Sequence, residues 1–388
     1  MSTTALGLPM LRTSERSDFK RCPWLWSQTY LVGQGTRRVP TWAWFGTAIH
    51  AALEVRYPIG VKRNGIEETV EAFHAAVGEE TGRIWQDQNA ILDEEEVVDA
   101  KVLGEAMLRG YVDHYGKDSE WEVIHTEQPF QITVADPDRP GKNLVLYVGT
   151  WDALWRNRTT KEFWLVDHKT RKSFPQRWDF YDLNDQAGSY LWVAPEVLRY
   201  MGIFSKKDTI EGLIFNSLKK HMPDTRPRNA DGLATNKPQK PHYKAAFEAR
   251  DIYFDPKDTL ATLAETADIY NVRVLGEVSA VQPSPLFHRE EIYRSPVERV
   301  KQAQRVQQEA AWMRDIREGK RKAFKTPTED CVRCKIFEYC MTDEQNPDDG
   351  EEIRKTLLAP RDQYADHRIA MDKKHGIDLS TTSSKKRK

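Results

Sequence analysis

The sequence predicts a mixed α/β domain, and three observations carry that prediction. Apolar residues recur at helical spacing in the N-terminal part and again before the C-terminal cysteines. Runs rich in β-branched and aromatic residues fill the middle. The two textures follow one another as helix, sheet and helix, not as separate all-α and all-β halves. The 388 residues and 45.0 kDa can bury a substantial core, for which 12 Trp, 14 Tyr and 14 Phe supply bulk.

From Thr13 to Leu31 polar and bulky residues alternate, with Pro23 and the pair Trp24 and Trp26 just after Cys22. Thr41 to Tyr57 reads as a helix, because Trp44, Ala48, Ala51, Ala52 and Val55 recur at its spacing. Two or three acidic, alanine-rich helical segments follow between Ile66 and Tyr115. Strands are expected at Glu122 to Val134, Leu144 to Trp155 and Phe163 to Val166, with a turn at Asn157 to Thr160. A helix resumes near Asp182 to Val193, and Glu211 to Ser217 reads as a further strand. Lys219 to Lys244 carries four prolines and a net charge of +5, the pattern of a mobile basic loop. Ile252 to Phe254 and Leu286 to Tyr293 read as strands around a helix near Thr259 to Glu277. Ser295 to Gly319 is a long amphipathic helix leading to the cysteines, and the chain beyond Asp343 is polar, with a basic end expected to be disordered.

Composition excludes several classes. The 58 basic and 59 acidic residues leave a net charge of -1, so the surface is not uniformly basic, although local basic patches remain open. No stretch approaches the roughly 18 consecutive apolar residues of a membrane helix. Met1 to Met10 lacks the basic leader and apolar run of a signal peptide, so the expected location is the cytoplasm. Four cysteines are too few for a disulfide framework in a chain this long.

Asp152 ends one strand-like run and Asp167 the next. With the turn at Asn157 to Thr160 they face each other across a hairpin, where paired Cβ atoms are about 5 Å apart. Two such carboxylates can share one hard divalent cation, Mg²⁺ or Mn²⁺. Lys169, two residues on, projects from the same strand face and can orient or deprotonate a water. His50 sits on an otherwise apolar helix, and Gln186 and Tyr190 share a helical face at i, i+4. Each feature alone also has a plain structural meaning: a solvated acidic rim, a satisfied core histidine, a packing pair.

Cys331, Cys334 and Cys340 form a C-x2-C-x5-C cluster, and Cys22 is the remaining cysteine. One four-thiolate site accounts for all of them, and by spacing both Zn²⁺ and an iron–sulphur cluster fit.

The order Gly46 to His50, Gly149 to Asp152, Asp167-His168-Lys169-Thr170 and Gln186 to Tyr190 resembles the RecB-type nucleases of the PD-(D/E)XK superfamily, over about Ser14 to Cys340. The resemblance implies a restriction-endonuclease-like core, a mixed central sheet flanked by helices, spanning residues 1–345 as one domain. Within it lie a helical insertion at about 58–120 and the basic loop at about 219–244, and residues 346–388 remain as a polar tail expected to be disordered. It implies a metal held by His50, Asp152, Asp167 and the backbone carbonyl of His168, with Lys169 catalytic. Gln186 and Tyr190 would shape the site and touch DNA. Glu127 resembles an acidic position common in these folds. The lone Cys22-Pro23 with three later cysteines looks like the AddB and Cas-four branch, in which four thiolates hold a 4Fe-4S cluster, Zn²⁺ being the alternative occupant.

The resemblance thus implies a metal-dependent DNA exonuclease, leaning toward 5′-to-3′ digestion of single strands. Similar proteins process DNA ends in recombination, repair or CRISPR spacer acquisition, many of them encoded by bacteriophages. A prokaryotic cell or phage-infected host is the expected setting, DNA the expected partner, and a recombination or CRISPR protein or a second copy a further candidate. The rival readings are an adaptor that keeps the fold without nuclease activity, a zinc-stapled structural protein, and a nonspecific endonuclease.

Overall fold

In the computed structural model, residues 7–220, 240–248, 250–270, 286–373 and 376–378 are described. The strands are β1 (Met10–Leu11), β2 (Gln34–Thr36), β3 (Trp121–Ala135), β4 (Asn143–Asn157), β5 (Phe163–Arg171), β6 (Ile210–Lys219), β7 (Phe287–Tyr293), β8 (Leu358–Pro360) and β9 (Ile377–Asp378). Among the described residues the main sheet runs β7-β6-β5-β4-β3-β9, with β1 added in parallel to β4. β3, β4 and β5 form an antiparallel meander, β6 joins β5 in parallel, and β7 pairs antiparallel with β6. The mixed α/β expectation therefore holds. The turn between β4 and β5 falls where it is predicted, because the Asn157 side chain accepts the N–H groups of Thr159 at 2.8 Å and Thr160 at 3.0 Å.

The helices are α1 (Thr13–Arg21), α2 (Pro23–Trp26), α3 (Thr41–Arg56), α4 (Ile66–Gln86), α5 (Glu94–Tyr115), α6 (Asp185–Tyr200), α7 (Lys240–Glu248), α8 (Leu260–Ile269), α9 (Pro296–Arg317), α10 (Phe337–Gln345), α11 (Pro347–Leu357) and α12 (Ala365–Lys373). α6 supplies the crossover that the parallel pair β5 and β6 requires. It packs with α9 on one face of the sheet, where Leu191, Ala194, Val306 and Ala310 meet Leu154, Leu165 and Phe215. α3, α4 and α5 cover the other face, burying Ala48, Leu53, Phe73 and Tyr111 against Trp155, Val166 and Ile214. Trp164, Leu165 and Val166 of β5 are apolar on both sides for this reason, since neither face meets water there. Gly188 lets α6 and α9 approach: a Cβ there would lie 2.9 Å from Gln302 Oε1.

Thr13 to Leu31, where polar and bulky residues alternate, is helical, and Phe19, Leu25 and Trp26 are buried. The helix expected near Thr259 to Glu277 forms over Leu260–Ile269, and residues 271–277 lie outside the described residues. Two expectations change. Ile252 to Phe254 is no strand; it packs as loop against Tyr243 and Phe247 of α7 and Leu263 of α8. The polar segment after residue 346 is folded through α11, β8 and α12, and β9 pairs with β3. Its few apolar groups are used efficiently: Leu358, Ala359 and Tyr364 are buried, and the Tyr364 hydroxyl donates to the Met10 carbonyl at 2.9 Å and bonds Glu15. Residues 221–239 of the expected basic loop and the basic terminus at 379–388 lie outside the described residues. No helix of the described residues is long and apolar enough to cross a membrane.

Candidate active site

The site begins where β4 and β5 separate. Their pairing ends at Ala153↔Val166, so the next residues, Asp152 and Asp167, face one another at the fork. Across β4's other edge, the pairs Thr126↔Ala153 and Gln128↔Trp151 leave Glu127 opposite Asp152. One carboxylate from each of three adjacent strands thus stands in a row. Glu127 has φ +45°, a left-handed conformation that costs a non-glycine residue energy and tends to persist at functional sites.

Helix α3 brings the histidine. His50 Nδ1 lies 3.3 Å from Asp152 Oδ2. His50, Glu127 and Asp152 are the one group of metal-ligating side chains among the described residues whose donor atoms all fall within 4.8 Å of one another. Two carboxylate oxygens and an imidazole suit a hard or borderline divalent cation. Asp167 stands beside this group. Its Oδ2 lies 2.5 Å from Lys169 Nζ, and its Oδ1 accepts from Gln186 Nε2 at 3.0 Å. Asp152 and Asp167 stand opposite each other at the fork, but the donor atom that converges with those of His50 and Asp152 is that of Glu127, not of Asp167.

Gln186 ties the catalytic lysine candidate to the carboxylate. Lys169 Nζ donates to Gln186 Oε1 at 2.8 Å, while Gln186 Nε2 serves both Asp167 and the Tyr190 hydroxyl, the latter at 3.1 Å. The Tyr190 hydroxyl donates in turn to the Thr150 carbonyl at 2.6 Å. These residues sit in the first turns of α6, whose N-cap Asn184 accepts the N–H groups of Gln186 at 2.9 Å and Ala187 at 3.0 Å. The positive end of the helix therefore faces the anionic cleft. Gly149 makes room for this packing, since a Cβ would meet the Phe130 ring at 2.8 Å.

His168 faces the other way. Its imidazole is buried on the α3 side of the sheet, 2.8 Å from Asn216 Nδ2. Arg289 stands behind it, bonded to Asp118 at 2.6 Å and to the Tyr57 and Tyr111 hydroxyls, both at 3.1 Å. The backbone N–H of His168 donates to Asp152 Oδ2 at 2.6 Å, and its ring meets that of His50 edge-on, centroids 5.9 Å apart.

Burial and mutual charge set the protonation states. Burial works to raise the Asp152 carboxyl, but the adjacent His50 overrides it and holds the group well below the usual carboxylate range. Burial lowers His50, yet Asp152 lifts it to about 9. Burial raises Asp167, Lys169 pulls it back, and the negative Asp152 pushes it up again. His168 is driven down to about 3, chiefly by burial, and is neutral. Asp152 is thus ionised beside a protonated His50, and a dication binding there would displace that proton, since an imidazole ligates only when neutral. The cleft has a volume of about 940 Å³, and its walls include Ser14, Ser17, Glu54 and Asp185.

The four cysteines converge elsewhere. Cys22, Cys331, Cys334 and Cys340 line one cavity of about 360 Å³ between α2 and the segment leading into α10. All four are free thiols of intermediate burial. The N-terminal segment is docked there by Trp24 N–H on the Phe324 carbonyl at 3.0 Å and by Arg21 on the Asp330 carbonyl at 2.6 Å. The Thr328 N–H points at Cys331 Sγ, 3.3 Å away.

Sequence reasoning underweighted Glu127 and did not find Asn184, Asn216 or Arg289. For Glu127 a signal exists: counting out from the turn at Asp136 to Lys142 between β3 and β4 places it level with Asp152. Asn184 carries the local signal of an N-cap before a helix, whereas nothing local marks Asn216 or Arg289.

The sequence model of the PD-(D/E)XK nuclease superfamily matches residues 13–341. No curated protein matches the chain. The chain belongs to the PD-(D/E)XK nuclease superfamily, which implies metal-dependent nuclease activity with DNA as substrate.

Proposed function

We propose that this member of the superfamily is a DNA exonuclease that works with Mg²⁺ or Mn²⁺ and carries an iron–sulphur cluster. The observation that carries the catalytic reading is the fork of β4 and β5, where Glu127, Asp152 and Asp167 align with His50 and Lys169. His50, Glu127, Asp152 and Asp167 would hold the metal. When bound, such an ion polarises the scissile phosphate and lowers the pKa of a ligated water. Lys169 orients the attacking water and balances charge that builds on the phosphate. Gln186 keeps the lysine and Asp167 in register, and Tyr190 fixes Gln186 from below. The N-terminus of α6 adds a positive potential toward the phosphate.

The cluster reading rests on the AddB-like and Cas-four-like cysteine spacing, together with the shared cavity. The Thr328 N–H is placed to hydrogen-bond a ligating sulphur. Its role would be structural, joining α2 to the chain beyond α9.

The test uses end-labelled single-stranded and duplex DNA with Mg²⁺ or Mn²⁺, comparing wild type with Asp167→Ala. Progressive loss from one end by wild type alone is the expected result, and the labelled end reports polarity. Cleavage of a circular single strand would make the enzyme an endonuclease. Equal inertness of both proteins, with the cysteine site intact, would leave a DNA-binding scaffold.

A further inference from the structure

A second groove, of about 620 Å³, adjoins the carboxylate cleft across α1. Ser14 and Ser17 of that helix line the cleft, whereas Phe19 and Lys20 line the groove. Lys20 bridges the two, pairing with Asp185 on the cleft wall and lying 3.9 Å from Glu309 in the groove. At its other end Thr326 is shared with the cysteine cavity. The groove thus runs from the rim of the candidate active site toward the thiols.

Its lining combines two features that rarely coincide by chance. Trp312 and Phe324 stand out from the surface, 58% and 63% exposed. Around them lie Lys20, Arg305, Arg321 and Lys322, against the single carboxylate of Glu309, which is itself held by Arg16 at 2.6 Å. Arg321 keeps only a loose pairing with Asp315 at 3.6 Å. On α9 the residues 305, 309, 312 and 316 share one helical face, so Arg305 and Trp312 project from the same side of the helix two turns apart. Lone exposed apolar residues are ordinary. Two large rings set among cations in a concavity beside the carboxylate cleft are not.

We propose that this groove holds single-stranded DNA adjoining the scissile phosphate, stacking unpaired bases on Trp312 and Phe324 and neutralising phosphates with Arg305, Arg321 and Lys322. The proposal rests on the nuclease reading above. Stacking requires exposed base faces, which a duplex does not offer along its length, so the groove selects single strands. It also lies outside the expected basic loop at 219–244, and so supplies strand contacts independently of that segment.

The experiment measures fluorescence anisotropy of a labelled dT oligonucleotide of about 20 nucleotides, longer than one aromatic-lined site. The full chain carries Asp167→Ala so that DNA stays uncut. Adding Trp312→Ala and Phe324→Ala should weaken binding by about tenfold or more. A blunt duplex of the same length should change less than about twofold. A second variant, Arg305→Glu with Lys322→Glu, should weaken the oligonucleotide and flatten its dependence on log salt by about 0.7 per lost contact. If both variants bind like their parent, the groove proposal falls while the nuclease reading stands. If the parent binds no DNA and wild type cuts none, the nuclease reading itself fails. A change in sedimentation in the variants, with DNA binding unaltered, would assign the groove to a second copy and overturn the proposal.

Discussion

The backbone N–H of His168 donates to Oδ2 of Asp152 at 2.6 Å, just where the ladder between β4 and β5 stops at Ala153↔Val166. A side-chain carboxylate takes the place of a strand carbonyl. The two strands can then part without leaving a buried N–H unpaired. The same carboxylate faces His50 across the opening, so the group that ends the sheet also begins the metal site.

Asp152→Asn and Asp152→Ala should therefore differ. Asn keeps an acceptor for the His168 N–H and should stay folded while losing metal-dependent cleavage. Ala orphans that donor and should in addition cost about 1–3 kcal/mol of stability. Denaturant titration of the two variants beside a cleavage assay separates the effects.

Lys169→Ala should lower kcat by about 10²- to 10³-fold, as expected for loss of one group that stabilises developing charge. Gln186→Ala should lower it by about 10- to 100-fold through misplacement of Lys169 and Asp167. Because Gln186 acts through those partners, its loss should add little in a Lys169→Ala background. Single-turnover rates for the double-mutant cycle test this.

Protein purified without oxygen should be brown and contain iron and acid-labile sulphide. Cys331→Ser and Cys22→Ser should each bleach it and loosen the N-terminal segment, which limited proteolysis would detect. A colourless protein with one zinc per chain would refute the cluster.

The pair Arg289 and Asp118 makes stability depend on pH. Burial raises the Asp118 carboxyl, but its hydrogen bond and charge contact with Arg289 hold it below the usual range. A depressed folded-state pKa contributes stability that is present above the unfolded value of about 3.9 and is lost as pH falls below it. Arg289→Met should abolish this component and cost about 3–5 kcal/mol, by leaving a buried charge unpaired. Urea melts of both proteins between pH 3 and 7 are the check.

Much of the site was legible in the chain itself. The turn at Asn157 places Asp152 opposite Asp167, and strand alternation puts Lys169 on the face of Asp167. The i, i+4 spacing joins Gln186 to Tyr190. These are short-range relationships, governed by fixed periods of about 3.6 and 2 residues. The helices and strands that carry them follow from the same patterning, as β3, β4 and α9 show.

Tertiary packing decided the rest. The left-handed backbone of Glu127 is maintained by its neighbours in the sheet, and no local propensity calls for it. Arg289 reaches His168 through Asn216 across β6 and β7, a contact between residues 121 positions apart. The polar segment after residue 346 folds because Tyr364 finds Met10 and Glu15 at the other end of the chain. Composition measures how much apolar surface a segment owns, whereas folding depends on whether a distant surface fits what little it has.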